Sequence, residues 1–373
     1  MIDISASKAA ELTRGFRLRV EPRLEVPRWL SPVVSLGAIL VSLFLGGLVL
    51  EAVGGDAWAA YSHIALNAFG SLGVFSDTLV KAIPLMLVGL ALTVAFRMKL
   101  WNIGAEGQFY MGAFGASLVV LGGIVPESAP AWLMLSVMGI SGLACGAAWG
   151  LIPGYLKAKL RVNEIITTLM LNYIAVAWNN YFIFGVWSEG GFQMSRTFSR
   201  NAWLPRLADY AKEIPAFRGL TVHLGLAFGL LAAAVVWFIL YRSRWGYEIR
   251  LIGDNPRAAQ YAGLNIVRNT VLVMMLSGGL AGLAGMSEIA GVVHRLQGAI
   301  SPGYGFTGII VAWLAKLNPW LVIVVSILFG GLILAGREIQ PAGVPRLIQG
   351  IILFALIASE VLLRYRLRLV RVG

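Results

Sequence analysis

The sequence has little charge and almost no cysteine. Charged residues make up 13% of its 373 positions and apolar residues 58%, where soluble chains carry about 25% charged residues. That balance excludes a soluble globular enzyme, a disordered chain and a secreted disulfide scaffold. Cys145 is the only cysteine, so no intrachain disulfide and no thiolate metal cluster can form. It lies in an apolar run and reads as a small packing residue. The three histidines, His63, His223 and His294, are far apart and have no metal-ligand spacing. No Gly-Lys dipeptide occurs, so the chain has no phosphate-cradling G-x-x-x-x-G-K-[ST] loop. No Ser-His-acid set or nucleophile elbow stands out either. Catalytic, metal and cofactor sites are therefore not expected in this polypeptide.

What the sequence does have is long apolar runs. A membrane-crossing helix needs about 20 mostly apolar residues. Ten stretches approach or meet that length: 30–50, 77–96, 102–124, 131–153, 164–185, 221–241, 270–293, 303–317, 319–336 and 346–363. The eighth is short and polar at its start, so the count is nine or ten. Lipid cannot satisfy backbone N–H and C=O groups, which makes each stretch a helix. Continuous runs of this kind argue against a barrel, whose strands alternate. The first stretch is too long for a cleaved signal core and lacks a clear cleavage motif.

The chain also carries a formal net charge of +12. In a soluble protein that excess would suggest nucleic acid. With a cytoplasmic N-terminus and alternating spans, twenty-one of the 30 basic residues fall inside and eight outside, Lys81 lying within the second stretch. The excess therefore reads as an orientation signal that puts both termini inside, with no nucleic-acid partner. The expected fold is all-α: a polytopic bundle of about ten transmembrane helices. A cytoplasmic basic leader occupies 1–29, the membrane domain 30–366 and a cytoplasmic tail 367–373. The membrane domain holds an external loop at 186–220 and a cytoplasmic loop at 242–269.

The external loop, with Trp187, Phe192, Trp203 and Phe217, reads either as a folded cover or as a docking face. In the inner loop Asn255 can cap a helix that has Pro256 at its first position, and Gly263 can end it. A helix of about two turns follows. Glycines recur at four-residue spacing at Gly142, Gly146 and Gly150, and Gly278, Gly282 and Gly285 cluster in the seventh stretch. Such spacing suits close helix contact within one bundle.

Polar groups at membrane depth are the functional candidates. The third stretch opens with Asn102-Ile103-Gly104-Ala105-Glu106-Gly107-Gln108 and the eighth with a second Gly-rich segment, Ser301 to Gly308, holding Tyr304 and Phe306. Paired interruptions in corresponding halves point to inverted repeats of five spans each, with a transport pathway between them. Glu164, Thr168 and Asn172 follow at four-residue intervals and share one face. They read as pathway lining or as interhelical hydrogen bonds. Asp77 and Lys81 read as an interfacial ion pair, and Glu360 and Arg364 as a surface pair.

The segment Trp101-Asn102-Ile103-Gly104-Ala105-Glu106-Gly107-Gln108 resembles the signature of permease subunits of ATP-binding-cassette importers. These belong to the ribose/branched-chain amino-acid group, in its nucleoside and simple-sugar branch. Residues 163–173, 253–263 and 303–312 with Asn318-Pro319 continue the likeness, which covers about 77–365. The resemblance implies a bacterial inner-membrane subunit with no cofactor of its own. A separate cytoplasmic ATPase would bind ATP and magnesium, and an external binding protein would deliver the ligand. A second related permease, or a second copy, would complete the pore. The candidate pathway residues are Asn102, Glu106, Gln108, Thr168, Asn172, Tyr173, Tyr304 and Phe306. The resemblance makes Gly253, Asn255, Pro256, Arg257, Ala258, Tyr261 and Gly263 the element that couples to the ATPase. The alternatives are an ion-driven transporter using Glu106 or Glu164, or a permease for a sugar or branched-chain amino acid.

Overall fold

The computed structural model describes residues 16–23, 27, 29–336 and 344–371. The chain divides into two units, 1–57 with 346–373, and 58–345.

The first unit contains helix α1 (Leu30–Ala52), most of the last helix, α13 (Val344–Arg364), and two strands. Strand β1 (Phe16–Pro22) pairs antiparallel with β2 (Tyr365–Arg371), Phe16 opposite Arg371 and Pro22 opposite Tyr365. This ribbon between leader and tail adds to the all-helical expectation. Leader cations Lys8, Arg14 and Arg28, and the side chains of Glu360 and Arg364, lie outside the described residues.

The second unit is helical. It comprises α2 (Ala57–Phe69), α3 (Leu72–Arg97), α4 (Ala105–Leu121), α5 (Ala131–Leu160), α6 (Glu164–Phe184) and α7 (Gly225–Arg242). After these come α8 (Arg244–Asp254), α9 (Pro256–Tyr261), α10 (Ile266–Glu288), α11 (Tyr304–Leu314) and α12 (Pro319–Ala335). A π turn, Ile289–Val293, extends α10. Every apolar stretch expected to be helical is helical; α2 and α8 are additional. By length and composition α3, α5, α7 and α10 with its π turn can each cross a membrane. Helix α11 has 11 residues, about 16 Å at 1.5 Å per residue, roughly half a hydrocarbon core.

Asparagine side chains start several of these helices. Asn163, Asn255, Asn265 and Asn318 each accept a backbone N–H from the first turn of the helix that follows, filling a bond the helix itself leaves open. Helix α3 has no continuous polar face, and every residue from Val80 to Phe96 is buried, the charged Lys81 among them.

Glycine sets the closest contacts around this core. A Cβ on Gly146 would lie 2.3 Å from the Gly278 carbonyl oxygen, and one on Gly282 2.3 Å from that of Gly142. The Gly142–Gly150 stripe therefore packs on α10 within the same chain. Helix α10 also packs on α4, where a Cβ on Gly285 would lie 2.0 Å from the Phe109 oxygen. Helix α3 has the matching pair of neighbours. Gly330 of α12 fits against Ala82, and Gly308 of α11 against Val88.

Candidate functional site

The polar segment before α4 is a self-satisfying knot. Asn102 Nδ2 donates to Gln108 Oε1 and to Ser277 Oγ, each at 2.9 Å. Its Oδ1 accepts the Gly104 N–H at 3.0 Å and Gln108 Nε2 at 3.2 Å. Ser277 lies near the midpoint of α10, so α4 begins well inside the bundle. The non-helical chain ahead of α4 is tolerated at that depth because protein groups occupy its hydrogen bonds.

Helix α6 supplies the rest. Thr168 Oγ1 accepts the Ile103 N–H at 3.2 Å. Asn172 Oδ1 accepts the Gly107 N–H at 2.8 Å while its Nδ2 donates to the Ile103 carbonyl at 2.9 Å. Glu164, Thr168 and Asn172 are all buried on the shared face. Glu164 forms an ion pair with Lys157 at 2.6 Å. Gly104 and Gly107 have no room for a side chain: a Cβ on either would stand 2.9 Å from Thr168 or Asn172.

The second Gly-rich segment meets the first. Glu106 Oε2 accepts the Gly305 N–H at 2.6 Å, and Ser301 also hydrogen-bonds Glu106. Ser301 Oγ in turn accepts the N–H groups of Gly303 and Tyr304 at 3.0 and 2.9 Å. The open N–H groups of α11 are thus capped by Ser301 and by a carboxylate from α4, where a helix N-terminus favours negative charge. Both acids named for an ion-driven mechanism, Glu106 and Glu164, therefore hold internal partners.

The structure brings Asn102, Glu106, Gln108, Thr168 and Asn172 into one cluster. Tyr304 joins it fully buried, its ring 5.7 Å from that of Phe109. Tyr173 lies apart, 67% exposed on the opposite face of α6, and Phe306 is 46% exposed on α11. Trp101 and Trp313 stack at 5.6 Å.

The inner-loop helix forms as its residues dictate. Asn255 Oδ1 accepts the Ala258 N–H at 3.1 Å, Pro256 opens α9, and Gly263 follows with a φ of 76°. Arg257 is exposed, and Tyr261 is 94% exposed. Gly253 belongs to α8, where a Cβ would lie 2.4 Å from the Arg97 oxygen. Beside α9 a cleft of about 630 Å³ is lined by Arg244, Trp245, Glu248, Gly263, Leu264 and Arg268, among others.

One expected pair is corrected. Lys81 does not bind Asp77. Its Nζ reaches Glu288 Oε1 on α10 at 3.2 Å, with both side chains buried. Asp77 instead accepts the Thr221 hydroxyl at 2.5 Å. Burial decides this, because a charge on the packed side of α3 needs a partner across the interface. Glu288 was legible as an acid in an apolar run, but its partner was not.

The segment 186–220 is folded onto the end of α10. Backbone N–H groups of Ser195, Phe198 and Leu204 donate to Leu296, His294 and Ala290. Trp203 stacks on His294 at 3.7 Å, and Arg206 Nη2 bonds His294 Nε2 at 2.8 Å and the Gly291 carbonyl at 2.7 Å. This matches the folded-cover reading.

Residues 74–357 match the family model described as branched-chain amino acid transport system / permease component. The chain is 36% identical to the glucose ABC transporter permease protein TsgB13 of Haloferax volcanii, over 94% of this chain and 93% of that protein. It is 35% identical to the guanosine ABC transporter permease protein NupP of Bacillus subtilis, over 91% and 95%. It is 30% identical to the nucleoside ABC transporter permease protein NupB of Lactococcus lactis subsp. cremoris, over 87% and 89%. The chain thus belongs to the branched-chain amino acid transport system permease family and is a multi-pass membrane subunit of an ABC transporter, with a transport role and not an enzymatic one.

Proposed function

We propose that this chain forms half of the pore of a bacterial inner-membrane importer that moves a nucleoside or simple sugar inward. The observation that carries the coupling part is α9. A capped two-turn helix that leaves a tyrosine 94% exposed beside a cleft suits docking to a separate ATPase. The ATPase would hold ATP and magnesium. An external binding protein would deliver the substrate, and a second related permease or a second copy would complete the pathway. The names of the relatives support a nucleoside or a sugar as cargo.

The proposed topology has ten membrane segments and both termini inside. An inverted five-plus-five repeat is supported by the packing partners. Exchanging α3 with α10, α4 with α11 and α5 with α12 turns the packing of α10 on α5 into that of α3 on α12, and the packing of α10 on α4 into that of α3 on α11. In this reading α4 and α11 are equivalent helices whose starts meet at Glu106 and Gly305, and substrate passes along the faces bearing Tyr173 and Phe306. ATP-driven closure of the ATPase biases the bundle between outward-open and inward-open forms.

The test is reconstitution with the ATPase and the binding protein. The chain alone is expected to hydrolyse no ATP. Arg257→Glu and Tyr261→Ala should leave the permease folded but separate hydrolysis from uptake; unchanged uptake in both would reject α9 as the coupler. Titrating the binding protein with nucleosides, sugars and branched-chain amino acids identifies the cargo.

A further inference from the structure

Two arginines of different helices converge on one tyrosine and leave buried donors without acceptors. Arg97 closes α3, Tyr241 lies in the last turn of α7, and Arg250 lies in α8. Arg97 Nη2 donates to Tyr241 Oη at 3.3 Å. The Cζ atoms of Arg97 and Arg250 stand 5.8 and 6.0 Å from the centre of the Tyr241 ring. Arg97 Nε and Arg250 Nη1 are buried and have no hydrogen-bond partner among the described residues. No ion pair to either arginine occurs among the described residues. The nearby acid Glu248 already accepts Asn269 Nδ2 at 2.8 Å. Both arginines are partly exposed, yet each keeps one buried donor nitrogen without an acceptor, an arrangement that folding disfavours, so two such donors beside one tyrosine point to an anion.

The place is built rigidly. Gly253, one turn beyond Arg250, packs on the Arg97 carbonyl with no space for a Cβ. Gly246 does the same against the Ile239 carbonyl, at 2.0 Å. These contacts lock α8 across the ends of α3 and α7 and so bring the helix bearing Arg250 beside Arg97. Planar guanidinium forks suit the oxygens of a phosphate.

The neighbouring surface of α7 names the source of that phosphate. Leu231, Val235 and Phe238, at 64%, 46% and 59% exposure, form one apolar stripe. The stripe runs directly into Tyr241 and Arg242, the apolar-to-aromatic-to-basic order of a bilayer interface. Arg242 lies over the Trp237 ring at 5.5 Å.

We propose that Arg97, Arg250 and Tyr241 bind the phosphate headgroup of an anionic phospholipid whose acyl chain lies along Leu231, Val235 and Phe238. The helix ends form a lipid site separate from the substrate pathway and from the exposed face of α9. The site uses the membrane reading only for where α3 and α7 end, so its test stands apart from transport.

The test uses the full chain in phosphatidylcholine nanodiscs, with or without phosphatidylglycerol, read by native mass spectrometry and thermal melting. Wild type is expected to retain phosphatidylglycerol through delipidation and to melt higher in its presence. Arg250→Gln and Arg97→Gln should weaken retention about tenfold each, as loss of a charge-assisted hydrogen bond implies. Arg250→Lys should fall between. If Arg97→Gln fails to fold, Arg250→Gln carries the test alone, its melting in phosphatidylcholine serving as the folding control. Equal retention in wild type and variants would overturn the site. Equal stabilisation by inorganic phosphate in phosphatidylcholine discs would overturn the lipid as its source. Stabilisation by added ATPase alone would assign the arginines to a protein partner and overturn the proposal as well.

Discussion

Glu106 Oε2 accepts the backbone N–H of Gly305 at 2.6 Å, across a sequence separation of 199 residues. A carboxylate on the first turn of α4 thereby caps the first turn of the shorter α11. The two Gly-rich interruptions, far apart in the chain, are a single junction in space.

That junction has no slack. A Cβ at Gly305 would lie 2.2 Å from the Glu106 nitrogen and 2.5 Å from its Cα. Gly305→Ala should therefore destabilise by about 1–3 kcal/mol or prevent folding, as overpacking against backbone does. Gly139, within α5 and with nothing inside 4 Å of its Cβ position, is the control. Gly139→Ala should be neutral or stabilising by about 0.5–1 kcal/mol. Thermal melting of the detergent-solubilised variants separates the two; equal melting points would remove the steric argument.

Glu106 itself serves two donors, Gly305 N–H and Ser301. Glu106→Ala leaves them buried without an acceptor and should cost about 1–3 kcal/mol, whereas Glu106→Gln keeps an acceptor and should cost less. The order of their melting points checks this. If Gln proves as damaging as Ala, the negative charge and not the acceptor is what the junction needs.

Lys81 and Glu288 make a second long-range pair, 207 residues apart. Lys81→Ala or Glu288→Ala strands one buried charge and should cost about 3–5 kcal/mol, while Lys81→Met with Glu288→Leu should cost markedly less. A double-mutant cycle on melting data tests it. Additive losses would deny the pair any coupling.

His223 and His294 set an acid limit. Burial first, then the positive charge of Arg206, lowers His223 to about 3 and His294 to about 4, from the ordinary value of 6.5. Both are held neutral, so between those values the unfolded chain binds more protons than the folded one. Their contribution to stability is complete above about pH 6.5 and is lost as pH falls toward 4 and 3. Melting temperature should decline with acidification below that point, and less steeply in His223→Gln and His294→Gln. Identical pH slopes in wild type and both variants would refute this assignment.

Asn255 caps α9 through Ala258 N–H at 3.1 Å. Asn255→Ala should cost the helix about 1 kcal/mol while leaving the bundle's melting temperature unchanged, because α9 is six residues long and largely exposed. Faster backbone amide exchange confined to 256–263 is the readout; protection equal to wild type would mean that packing, not the cap, holds the helix.

The sequence by itself determined every helix except α2 and α8, the cap at Asn255 and the packing use of Gly142, Gly146 and Gly150. Each follows from local chemistry: apolar runs must be helical in lipid, an asparagine before proline starts a helix, and small residues one turn apart make a flat face. It also marked Asn102, Glu106, Gln108, Thr168 and Asn172 as polar groups at depth. Only the tertiary structure decided what they touch. Helical spacing puts Glu164, Thr168 and Asn172 on one face, but not that the latter two hold the backbone of 103–107. It pairs Asp77 with Lys81 as neighbours on a helix, yet burial sends Lys81 to Glu288. Tyr304 is fully buried and Tyr173 exposed, though both are tyrosines in apolar helices. A periodic pattern fixes which residues share a side of one helix. Which helix that side meets depends on contacts closed over about two hundred residues, as at Glu106 and Gly305.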